Sequence, residues 1–197
     1  ARQSWDDAML AWQSIEVVQT GPLIENTFLL RDSIYSWPAV STCVVDQEII
    51  EADTQGENYD ISNRTPVRKG LAALEYILYT STLDHTCPPT TNKTVNWNAR
   101  TDSERQTLRT QFAKTVSEDL VSLASELKSR WTTNDNSFRI ELLNTNSAVS
   151  RFSSPIKAIN AISDALFYIE KEVKDIKLAE PLALKGDKCT QGQADCA

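Results

Sequence analysis

Apolar residues return every three or four positions along most of this chain, the spacing of one face of an α-helix. Trp5, Ala8, Met9, Trp12, Ile15 and Gln19 mark the first such face. Ser4 and Asp6-Asp7 supply start signals and Gly21-Pro22 a stop, so a helix is predicted over 5–20. Shorter helices are predicted over 25–35, ended by Trp37-Pro38, and over 44–53, with Thr42 as a cap. Pro66 sits at a first-turn position of a helix over 66–79, where Val67, Leu71, Leu74 and Leu78 form a stripe. Leu108, Phe112, Val116, Leu120, Leu123, Leu127 and Trp131 define a long helix over 102–131. After a short helix over 138–149, the stripe Ile156, Ile159, Ile162, Leu166, Ile169, Val173 and Ile176 predicts a last one over 155–176. No period-2 alternation competes, so the expected fold class is all-α, an antiparallel helical bundle.

Composition narrows the function classes. With 41% apolar and 24% charged residues in 197, the chain is an ordinary globular one. No apolar run reaches the ~18 residues of a membrane span. No secretory apolar segment follows Ala1, so a signal peptide is expected to have been removed. A net charge of −7 without a Lys/Arg cluster argues against nucleic acid, because displacing counterions needs a basic face. The acidic field favours a cation or a cationic partner.

The four cysteines are Cys43, Cys87, Cys189 and Cys196, with no C-x-x-C spacing, which disfavours a redox motif or zinc ribbon. They allow three connectivities. The short polar loop between Cys189 and Cys196 closes easily, so the preferred pairing is Cys189–Cys196 with Cys43–Cys87. Disulfides imply an oxidising compartment, periplasm or exterior. His85 is the single histidine, too few for an imidazole-built zinc site within this chain, and reads as a loop residue. No G-x-S-x-G nucleophile elbow and no Gly-rich phosphate loop occurs. Two triplets, Asn63-Arg64-Thr65 and Asn92-Lys93-Thr94, match the glycosylation pattern, which a bacterial origin would leave bare.

Glu75 is the residue that composition cannot explain. It interrupts the apolar run Gly70-Leu71-Ala72-Ala73-Leu74-Glu75-Tyr76, and a carboxylate among leucines is costly if unpaired. It requires a cation, a metal, a hydrogen-bond network or protonation, and an ordinary structural pairing with arginine stays open. Glu75 is expected to be buried at a helix junction, with Trp37 or Tyr76 nearby and a gap beside Ala72. Trp5 and Trp12 read as core, while Trp37 reads equally as packing or site.

Gly70-Leu71-Ala72-Ala73-Leu74-Glu75 resembles the G-x-H-x-x-E signature helix of the imelysin family, with Ala72 standing where the histidine belongs. Trp5 to Trp12 through Gly21-Pro22 is similar to that family's first helix. Tyr35-Ser36-Trp37-Pro38 with Asp46-Gln47-Glu48-Ile49 resembles its Y-x-W-P … D segment, and Lys177 to Leu182 the stretch leaving its first bundle. The resemblance implies an all-helical bacterial envelope protein, linked to iron acquisition and in some members described as an insulin-cleaving metallopeptidase. It also implies two bundles with the site at their interface.

Carried over by position, the site comprises Gly70, Ala72, Glu75, Tyr76, Trp37 and Asp46, with Glu75 as the metal ligand. Glu16, Asp46 and Glu48 are further oxygen donors for a divalent metal or iron. Ala72 cannot bind metal, and one carboxylate is far from the three ligands of a hydrolytic zinc site, so a binding protein is favoured over a peptidase. The expected organisation is a bundle over 1–182 and a disulfide-closed loop over 183–197 leading to a second bundle. Expected partners are that C-terminal half, a metal ion or iron carrier, and a membrane reached through an N-terminal lipid preceding this chain. An extracellular helical inhibitor domain, like those of pectin methylesterases or invertases, matches in architecture only.

Overall fold

The computed structural model describes residues 1–133, 136–179, 182 and 184. Among them no strand forms, and the all-α expectation holds. The main helices are α1 (Arg2–Glu16), α2 (Leu29–Ile34), α3 (Thr42–Gln55), α4 (Gly70–Tyr79), α5 (Asp102–Lys128), α6 (Phe138–Leu143), α7 (Pro155–Ser163) and the single turn α8 (Leu166–Tyr168). Wider π-type turns follow α5 over Ser129–Thr133 and α8 over Ile169–Ala179. The chain packs as two compact units, Ala1–Met9 with Glu25–Lys128, and Leu10–Ile24 with the described residues from Ser129 on.

The first unit is built around α3, α4 and α5. Val45 and Ile49 of α3, Ala73 and Leu74 of α4, and Phe112 and Val116 of α5 close on Trp97 to make its core. Each large side chain buried here contributes about 1.5–3 kcal/mol. The buried face of α5 follows the expected stripe at Phe112, Val116 and Leu127, but Arg105, Arg109 and Asp119 lie buried in the same phase.

The helix predicted over 5–20 ends at Glu16, that over 138–149 ends at Leu143, and that over 155–176 is interrupted after Ser163; two more are shortened for local reasons. The helix over 25–35 starts only at Leu29, because Asn26, Thr27 and Phe28 take left-handed dihedrals with φ of 49°, 56° and 66°. Arg31 covers the Phe28 ring at 4.2 Å and Leu29 N–H donates to the Asn26 carbonyl, contacts that hold this turn. The helix over 66–79 breaks at Lys69, which is extended between a 3₁₀ turn, Pro66–Arg68, and α4.

In the second unit Phe138, Phe152 and Ala158 form a small core, with Trp131 edge-on to Phe138 at 5.0 Å. A bundle helix ordinarily turns its apolar stripe to the core, yet Ile156, Ile159, Ile162 and Leu166 are 62%, 59%, 44% and 61% exposed, while Ala158 and Ala165 are buried. Ala158, with Ala161 beside it, packs on the phenylalanines, and the large aliphatic face points outward.

Cys43 and Cys87 are bonded, as expected. The Cys189–Cys196 pairing lies outside the described residues.

Candidate functional site

The signature helix α4 begins in a tight place. Gly70 has φ +81°, and a Cβ there would lie 2.7 Å from the Ile34 carbonyl oxygen and 2.8 Å from that of Ser33. Only glycine combines this dihedral with so close a backbone approach. Gly70 therefore seats α4 against the C-terminal end of α2. Lys69, just before it, is buried, with Nζ 3.0 Å from Asp119 and donating to the Ile61 carbonyl at 3.2 Å.

Asp46 and Tyr76, both predicted site residues, meet in the interior. The Tyr76 hydroxyl lies 2.9 and 3.0 Å from the two carboxylate oxygens of Asp46. Thr86 adds its N–H at 2.8 Å and its hydroxyl at 3.1 Å, and Arg109 donates from Nη2 at 3.2 Å. Burial, then the Asp46 charge, pushes the Tyr76 phenol up to about 12, so it remains a donor. Arg109 also donates to the carbonyls of Thr82 and Asp84, and its guanidinium lies 5.3 Å from the Tyr76 ring centre.

This network fixes the loop that follows α4. Trp97 Nε1 donates to the Leu83 carbonyl at 2.8 Å, Arg105 pairs with the Asp84 carboxylate, and Cys87 is tied to Cys43. His85 belongs to the same loop, its Nδ1 accepting the Cys87 N–H at 3.1 Å. It reads as a loop histidine, as the sequence implied.

Glu48, two residues beyond Asp46 on α3, does the same for the segment before α4. It accepts from Tyr59 at 3.0 Å and Arg68 at 2.7 Å, with Arg64 Nε at 2.9 Å. In the second unit Glu16 is buried under Tyr168 and Lys177, both of which donate to it. The carboxylates expected as oxygen donors for a metal thus each have protein donors in place. Among the described residues no group of three or more His, Cys, Asp or Glu side chains is arranged to hold a metal ion. The described residues do not fit a hydrolytic zinc ion, which needs about three protein ligands.

Glu75 departs from expectation. It was expected to be buried and matched, but it is exposed on α4 with no hydrogen bond or ion pair among the described residues. Gly70 to Leu74 are buried on every side of α4, and residue 75, which falls between Leu71 and Ala72 in phase, is the first position past the covered turn. Nearby protein still excludes enough water to raise its pKa above the ordinary carboxylate range. Ala72 is buried at 4% exposure, so no open gap stands beside it. Trp37 is half-buried at the turn between α2 and α3, ahead of a cis bond to Pro38.

Arg109, Thr86, the Glu48 node and the Lys69–Asp119 pair escaped the sequence reading. One signal was available for two of them. Arg109 lies three and seven residues before Phe112 and Val116, and Asp119 lies seven after Phe112, all in phase with the buried stripe. A charge in that phase must find a partner in the interior.

The fold and the α4 site define an all-α protein with a G-x-A-x-x-E helix. The family described as Imelysin (Peptidase_M75) matches residues 1–197, and the chain belongs to it. No curated protein and no solved structure matches the chain.

Proposed function

We propose that this imelysin-family chain is a non-catalytic binding protein of the bacterial envelope, acting on a metal ion, iron or an iron carrier. The observation that carries the reading is the pair Ala72 and Glu75. The position of the motif imidazole holds a buried methyl group, and the remaining carboxylate stands exposed and unpaired on a rigidly seated helix. One free carboxylate can contribute to a cation or to a cationic ligand group. Without further ligands it cannot activate water as a zinc centre does. The single disulfide described fits an oxidising compartment, and no helix among the described residues is long and apolar enough to cross a membrane.

The site is completed, in this reading, by a C-terminal half of the same protein. The outward aliphatic face of α7 and α8 supports that part, since among the described residues of the second unit Phe138, Phe152 and Ala158 make a small core.

Incubating the full-length protein with insulin and zinc, with and without chelator, tests the reading. No cleavage is expected, together with a melting temperature raised by iron or zinc and not so raised in Glu75→Ala. A ligand at a hundred times its Kd stabilises by about 2.7 kcal/mol, well within reach of a melt. Chelator-sensitive cleavage abolished by Glu75→Ala would replace it with a metallopeptidase whose remaining ligands lie beyond this chain. The unpaired state of Glu75 leaves room for that second reading.

A further inference from the structure

We draw no further inference here: the strongest candidate, the outward aliphatic face of α7 and α8 in the second unit (Ile156, Ile159, Ile162, Leu166 and Phe167), already enters the reading proposed above, and nothing among the described residues shows what covers it.

Discussion

The Tyr76 hydroxyl reaches both carboxylate oxygens of Asp46, at 2.9 and 3.0 Å, across the interface of α3 and α4. Asp46 is also the countercharge of Arg109, a side chain almost wholly buried. The two substitutions that break this link should therefore differ in cost. Tyr76→Phe removes one donor, and about 1–2 kcal/mol of unfolding free energy is expected to go with it. Asp46→Ala strands a buried guanidinium and should cost about 3–5 kcal/mol. Urea unfolding of both variants checks the order, and equal effects would contradict it.

Gly70→Ala should destabilise more than Gly56→Ala. Both glycines have positive φ, 81° and 55°, so an L side chain is strained at either position before any contact is counted. At Gly56 a Cβ meets nothing within 4 Å, whereas at Gly70 it meets two backbone carbonyls under 3 Å. Backbone cannot swing aside as a side chain can. The expected result is a clearly lower melting temperature for Gly70→Ala, and a matching pair of melts would argue against the seating of α4 on α2.

Glu75 should make the protein less stable as pH rises. Its folded pKa is raised by loss of water, so the folded state holds its proton to higher pH than the unfolded state. Between the ordinary carboxylate pKa and the raised one, the unfolded state binds fewer protons, and stability falls with increasing pH. Glu75→Gln removes that slope. The variant is expected to melt above the parent at pH 7 and with it below pH 4. A variant that melts lower at pH 7 would show that the carboxylate is stabilised by an unseen partner.

The outward face of α7 and α8 yields a test that separates periodicity from packing. Ile159 and Leu166 are 59% and 61% exposed. Replacing each with lysine in this chain should change stability by no more than about 0.5 kcal/mol, as surface substitutions do. A core position would lose several times that. A loss of 2 kcal/mol or more on chemical denaturation would place the stripe inside.

Cys43 and Cys87 are separated by 44 residues, and their bond restricts the unfolded chain. Replacing both with serine should cost about 2–4 kcal/mol. The loop itself should stay in place, because Thr86, Asp84 and Leu83 are held independently by Asp46, Arg105 and Trp97. Hydrogen exchange of residues 82–87 would report this, and strong deprotection in the variant would make the disulfide the main fastener. Non-reducing peptide mapping of the parent should recover the Cys43–Cys87 peptide, and the same map checks Cys189 with Cys196.

The helical class, most element positions and the family motif were legible in the sequence because each rests on near neighbours, whereas Cys43–Cys87, 44 residues apart, came only as the pair left over from the short Cys189–Cys196 loop. Three-and-four spacing marks a helix whatever it packs against, but its ends were less legible: α1 stops at Glu16, short of Gly21-Pro22, and Pro66 opens a 3₁₀ turn ahead of α4. Direction and partnership were not legible. The 156–176 stripe has an aliphatic face and an alanine face, and only contact with Phe138 and Phe152 decided that Ala158 goes inside. Asp46 and Tyr76 lie 30 residues apart, and Asp46 and Arg109 lie 63 apart. Sequence alone named Asp46 and Tyr76 through the family pattern but could not join them. Glu75 shows the same limit most sharply. Its apolar neighbours and its phase between Leu71 and Ala72 pointed to burial, yet tertiary contact buries α4 only as far as Leu74, and the carboxylate one step on is exposed.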